Sequence, residues 1–194
     1  MSKKEHWDKI YSTKTLQEVS WYQPVPKISL ELILSLKLSK DSPIIDVGGG
    51  DSFLVDSLIE KGYIDLTVLD ISKVAIERAK NRLGKHAKKV NWIVADITNF
   101  YPERKYSVWH DRAVFHFLRN KKEINSYLKS LNDGTDSNAR LILGSFAENG
   151  PLKCCALDVK RYSFHDLENI FSNYFHFQQM TNSIHQTPFN TEQS

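Results

Sequence analysis

The chain has 194 residues, 26 basic and 23 acidic side chains, a formal net charge of +3 and 41% hydrophobic residues, which suits one domain with a single sizeable core. The basic excess is small and scattered, apart from pairs such as Lys3 with Lys4, Lys88 with Lys89 and Lys121 with Lys122, so it gives no nucleic-acid-binding signature. Residues 1–7 are polar with no apolar run behind them, nothing reaches membrane-spanning length, and the two cysteines, Cys154 and Cys155, are adjacent, which excludes an unstrained disulfide between them; a reducing, cytoplasmic location is expected, with no membrane partner.

Residues 1–40 read as an N-terminal cap segment with its helix, and 41–194 as the core of one single domain spanning 1–194. Segment 12–25 is irregular, rich in aromatic and polar residues, and residues 26–36 carry Ile28, Leu32 and Leu36 at helical spacing. Strands are predicted at 43–47, 65–70, 90–94, 106–110, 139–146 and 174–181. Further helices are predicted at 52–61, at 72–83 with Ser72 as cap, at 120–131 and at 163–172. Segment 147–162 interrupts the passage from strand to helix. This alternation predicts an α/β, doubly wound, mostly parallel sheet with helices on both faces. In such folds the loops at the carboxyl ends of the strands build the binding crevice, which makes 147–162 a candidate for substrate contact.

The first strand runs Ile44, Ile45, Asp46, Val47 into Gly48, Gly49, Gly50, Asp51 and Ser52, and the second ends in Val68, Leu69, Asp70. Glycine at positions 48 and 50 lets a ligand approach the backbone and supplies turn angles that other residues adopt only at a cost. An acid at the end of the next strand is placed to accept hydrogen bonds from a ribose. A dinucleotide fingerprint needs a third glycine where Phe53 stands. It also sets a pyrophosphate on a helix amino terminus, which Asp46 and Asp51 would repel. The same acids suit a ligand carrying an ammonium group and a sulfonium, so the expected cofactor is S-adenosylmethionine.

These motifs resemble those of the class I S-adenosylmethionine-dependent methyltransferases, a Rossmann-like fold, and the chain is similar over nearly its whole length to a bacterial group of small single-domain members. The resemblance is carried by His6, Trp7, Asp8 and Tyr11, by Ser20, Trp21 and Tyr22, by Trp109 to Phe117, by Gly150, Pro151, Cys154, Arg161 and Tyr162, and by His185, Thr187, Pro188 and Gln193. It implies that Asp46 and Gly48 line the methionine portion of the donor, that Asp70 binds the ribose, that Ile71 packs on the adenine, and that Asp96 with Ile97 holds the adenine edge. Asp96 read by itself is either that contact or a turn cap. Tyr11 and Trp21 either close over the cofactor or pack in the core. The chain departs from the group at Asn132 to Asp136, a longer polar turn, and at Cys155 to Asp158. The fold also expects a last antiparallel strand where this sequence ends, and its loss would expose apolar sheet edge.

The sulfonium makes the methyl group electrophilic, so the protein has mainly to align donor and acceptor, which can lower a barrier by roughly 7–11 kcal/mol. A general base adds about 10² to 10⁴ where the acceptor carries a proton. Its candidates are His110, Asp111 and His116, with His185 more remote. Asp111 with Arg112 reads equally as a structural ion pair, and His116 as packing against Phe115 and Phe117. Cys154 and Cys155 lack the second pair that tetrahedral zinc needs, so no metal is expected. Trp7, Trp21, Tyr22 and Trp109 either cage a cation or fill core and crevice walls. The expected activity is methyl transfer to an oxygen, nitrogen or sulfur of a small molecule, releasing S-adenosylhomocysteine. A protein-lysine N-methyltransferase and a catalytically silent cofactor-binding protein are the alternatives. An enclosed pocket under 147–162 would favour the small molecule, and an open acidic groove the lysine.

Overall fold

The computed structural model describes residues 1–112 and 114–193; Ala113, within the motif that follows the fourth strand, and Ser194 lie outside the described residues. Five parallel strands form the central sheet in the order β3-β2-β1-β4-β5: β1 Ile44–Val47, β2 Leu66–Asp70, β3 Val90–Val94, β4 Tyr106–Arg112 and β5 Thr135–Gly144. β1 and β2 are buried along their whole length, because helices cover both faces. Side chains alternate between those faces. Ile44, Val68 and Val108 pack with Leu30, Ile33, Leu54 and Leu58, while Ile45, Val47, Leu69 and Trp109 pack with Tyr127, Leu131 and Phe171. The order reverses between β1 and β4, which opens a crevice beyond their carboxyl ends.

The helices are α1 Lys3–Thr13, α2 Lys27–Ser35, α3 Leu54–Glu60, α4 Lys73–Leu83, α5 Lys121–Gly134 and α6 Phe164–Phe171. Five, α2 to α6, lie where the sequence places them; Ser72 accepts from the Ala75 amide, Asn120 from that of Glu123 and Ser163 from that of Asp166. Short antiparallel pairs complete the fold: β6 Lys153–Cys154 with β7 Leu157–Asp158, and β8 His185–Gln186 with β9 Glu192–Gln193.

Two expectations are corrected, the strand at 174–181 and the polar turn at 132–136. Residues 174–181 form no strand: they do not pair with β5, and their aromatics go elsewhere, Phe175 onto the core and Phe177 against Phe164 at 4.5 Å. No antiparallel strand joins the central sheet among the described residues, and β5 is its edge. The polar turn at 132–136 is absorbed instead by α5, which runs to Gly134, and by an irregularity in β5, where Thr135 pairs with Tyr106 but the next pair is Arg140 with Val108.

Candidate functional site

The site begins where β1 ends. Gly48 and Gly50 have positive φ, 68° and 43°. A β-carbon on Gly50 would stand 2.8 Å from Asp70 Oδ2 and 3.0 Å from the Tyr11 hydroxyl, and one on Gly48 would collide with Val114. Glycine is required at both positions by angle and by space. Asp46 faces His110 on the neighbouring strand, with Oδ1 2.7 Å from Nδ1; a carboxylate only accepts, so Nδ1 carries the proton. Asp51 corrects the electrostatic reading of the turn. It is tied to Arg78 at 2.9 Å and to Arg82, which also binds Asp56 at 2.8 Å, so its charge is already matched by the protein. The case for a cationic ligand therefore falls on Asp46 and Asp70.

Asp70 is 5% exposed at the end of β2. Burial raises its carboxyl to about 7, with Asp46 and Asp8 adding to the rise and the Ser72 amide, 2.7 Å from Oδ1, opposing it. The Ile71 amide also opposes the rise, so the backbone supplies two donors to this carboxyl. Tyr11 is half-buried beside it, its ionisation pushed far up by desolvation and by Asp70. Asp96 caps the 3₁₀ turn at 97–99 through Thr98, whose amide and hydroxyl lie 2.9 and 2.7 Å from Oδ1, so the cap is formed; Asp96, Ile97 and Ile71 nevertheless line the same cavity as Asp70.

Helix α1 forms the roof. Its signal in the sequence is the capping box of Ser2 with Glu5, unread among the polar residues at the start. Asp8 accepts from the Ser72 hydroxyl at 2.7 Å, and Arg78 donates to the carbonyls of Tyr11 and Lys14 at 2.8 Å each, which pins the roof to α4. Beneath it the Trp7 ring lies 6.2 Å from Tyr11, 5.8 Å from Trp21 and 5.3 Å from Phe117. Trp109 takes no part: it is fully buried under α5 and donates to the Tyr127 hydroxyl at 3.1 Å. Tyr22 turns to Phe53 instead.

On β4 the alternation separates the candidates. His110 and Arg112 face the cavity, whereas Asp111 does not line it. His110 Nε2 lies 2.9 Å from the Ser29 hydroxyl of α2, so both ring nitrogens are engaged. Asp111 is fully buried, raised to about 6 by burial, and accepts from the amides of Val114 and Phe115, at 2.8 and 3.4 Å. It forms no ion pair with Arg112 among the described residues. Arg112 instead reaches the Trp21 carbonyl at 3.4 Å. His116 is 1% exposed, stacks on Phe146 at 4.5 Å, and leaves both ring nitrogens without a partner; burial drives it down to about 3, so it is neutral. His185 donates from Nε2 to the Ser20 carbonyl at 2.7 Å and accepts from Gln23 at Nδ1, 3.0 Å away, fastening the β8–β9 hairpin to segment 12–25.

These elements line a partly open cavity of about 1630 Å³, more than one small ligand fills. It runs from Asp96 and Asp70 past His110 and Arg112 to His116, Phe146 and Cys154, and on to α6 and the segment after it. Both cysteines are free; the thiols interact with each other, and Cys155 and Ala156 make the β6–β7 turn with φ of 50° and 63°. No helix is long and apolar enough to cross a membrane.

Residues 44–135 match a family model described as a methyltransferase domain. The chain is 33% identical over 97 residues to malonyl-[acyl-carrier protein] O-methyltransferase 1 of Ilyobacter polytropus, covering 48% of this chain and 35% of that protein. It is 24% identical over 111 residues to the eEF1A lysine and N-terminal methyltransferase of Mus musculus, covering 57% and 16%. The chain thus spans about a third, or less, of the length of these curated relatives. A crystal structure of a SAM-dependent methyltransferase from Anabaena variabilis superposes with a TM-score of 0.74 at 16% identity, over 98% of this chain and 88% of that one, which shows the shared fold.

Proposed function

The chain is placed among the class I S-adenosylmethionine-dependent methyltransferases by its sheet and by the methyltransferase domain at residues 44–135, and from this premise we propose that it methylates an oxygen, nitrogen or sulfur atom of a small molecule. The carrying observation is Asp70, a buried carboxyl held only by the backbone amides of Ser72 and Ile71, beside the glycine turn of a cavity roomy enough for two ligands. Asp70 receives the ribose hydroxyls. Gly48 and Gly50 admit the methionine portion, Asp46 takes its ammonium group, and Ile71, Asp96 and Ile97 border the adenine. Tyr11 and Trp21 close the roof. Bound there, S-adenosylmethionine supplies a methyl group on a sulfonium, and the protein contributes alignment and exclusion of water, worth roughly 7–11 kcal/mol in well-aligned cases.

Within this reading His110 is a positioning residue, since its ring is spent on holding Asp46 toward the ligand. A small molecule is favoured over a lysine because the acceptor side carries the Arg112 guanidinium along with Trp7, Phe117 and Phe146, where a lysine ammonium meets like charge. The test is calorimetric titration with S-adenosylhomocysteine. The wild type binds it, and Asp70→Ala loses more than about tenfold in affinity, as removal of a charged acceptor does, with the melting transition intact. Equal affinity in the two proteins refutes the ribose assignment. Labelled donor given to separate pools of metabolites and of protein then decides the acceptor's size.

A further inference from the structure

We propose that the methyl acceptor enters as a carboxylate, held between the Arg112 guanidinium and the ring N–H of His116. This rests on the methyl-transfer reading and adds the acceptor's chemical class.

Arg112 is a half-buried cation in no direct ion pair among the described residues, with the charge of Asp46 acting on it from nearby. It leaves the end of β4 into the cavity, belongs to none of the ion pairs among the described residues, and makes one long hydrogen bond, Nη2 to the Trp21 carbonyl at 3.4 Å. A guanidinium carries five N–H donors in a rigid fork that matches a carboxylate. His116 is the second, independent observation. Its imidazole is almost wholly buried against the same cavity, clamped between Phe146 at 4.5 Å and Phe117 at 4.3 Å, with neither nitrogen bonded. Leaving a buried polar group unpaired is costly, and a ligand offering an acceptor atom relieves that cost.

The fate of the proton points the same way. A phenol, thiol or ammonium must lose a proton before or during methylation, and the candidate bases His110, Asp111, His116 and His185 are each occupied or unsuited. His110 and His185 have both ring nitrogens bonded, Asp46 accepts from His110, and Asp111 caps a turn away from the cavity. His116 is held neutral by burial and resists taking a proton. A carboxylate has no proton to give up. One of its oxygen lone pairs forms the bond to the methyl carbon, the carbon–sulfur bond breaks with its pair passing to sulfur, and the anion and sulfonium become a neutral methyl ester and a neutral thioether. Arg112 keeps the anion in place until its charge is consumed.

The test uses the whole chain saturated with S-adenosylhomocysteine and titrated by calorimetry with octanoate, octan-1-ol and octylamine. Octanoate is expected to bind at least about tenfold more tightly than either neutral or cationic probe. Arg112→Gln erases that preference, Arg112→Lys retains part of it, and His116→Phe, which keeps the ring stacking, weakens octanoate alone. Absence of octanoate binding, equal binding of the three probes, or a preference that survives Arg112→Gln overturns the proposal. So does an Arg112→Gln protein that loses affinity for S-adenosylhomocysteine but not for 5′-methylthioadenosine, because the guanidinium then serves the donor's own carboxylate. If the wild type fails to take up S-adenosylhomocysteine at all, the methyl-transfer reading itself falls, a result distinct from each of these.

Discussion

Asp46 on β1 and His110 on β4 are register partners across the sheet, and their side chains meet at 2.7 Å on the face that opens to the cavity. The pair is almost completely buried, with Ser29 closing the far side of the ring. A histidine at the end of the fourth strand is thereby turned from a free base into a support for a buried carboxylate that lines the cavity.

Replacing His110 by Ala removes the donor to Asp46 and leaves that carboxylate buried with one partner fewer. The expected result is a loss of about 1.5–3 kcal/mol in S-adenosylhomocysteine binding, read by calorimetry, with turnover falling no further than donor occupancy explains. Unchanged donor affinity with lost turnover would make His110 a proton acceptor instead.

Asp70 links donor binding to pH. Its folded-state carboxyl is raised to about 7, and only the ionised form accepts from both ribose hydroxyls. Affinity for S-adenosylhomocysteine should therefore rise as pH increases from 6 to 8, falling about tenfold per unit well below 7, with proton release on binding. Asp70→Asn should flatten the profile. The same shift acts oppositely on folding: a carboxyl raised above its unfolded value favours the protonated native state, so its ionisation costs stability as pH rises from about 4 toward 7.

His116 titrates in the other direction. Its ring is lowered to about 3 by burial, so between pH 6.5 and 3 the unfolded chain binds a proton that the native state refuses. Its contribution to stability is intact above 6.5 and declines as pH falls. By pH 5 this amounts to about 2 kcal/mol at about 1.4 kcal/mol per unit. Urea melts of wild type and His116→Phe at pH 7.5 and 5 should show the mutant losing less stability by roughly that amount; parallel losses would mean that the ring is protonated in the folded protein.

Arg78 and Arg82 hold the glycine turn through Asp51, whose side chain is 4% exposed. Arg82→Ala should destabilise the fold by about 2–4 kcal/mol, since removing one partner leaves a buried charge under-compensated, and it should weaken donor binding as the turn loosens. The double change Arg82→Ala with Asp51→Asn should recover part of the loss in denaturant melts. No recovery would locate the effect in the Arg82–Asp56 contact.

The strands were legible because residues such as Ile44, Ile45, Val68 and Leu69 form short apolar runs between turn residues, and the helix at 73–83 because Ser72 announces its start. Residues 174–181 are also rich in apolar side chains yet form no strand, because Phe175 packs onto the core and Phe177 onto Phe164 of α6 instead of the segment pairing with β5. Helix α1 escaped because its face toward the site is aromatic and polar, with His6 its one buried residue, and only its capping box marks it.

For the site, local sequence determined what local chemistry requires: glycine where φ is positive at 48 and 50, an acid ending β2, and the alternation that separates His110 and Arg112 from Asp111. Which of those groups is free was decided by residues far away along the chain. Ser29 occupies the other nitrogen of His110, Arg78 and Arg82 neutralise Asp51, and Phe146 seals the ring of His116. Availability of a charge or a proton depends on burial and on hydrogen-bond partners, and only the packed fold brings those partners within reach.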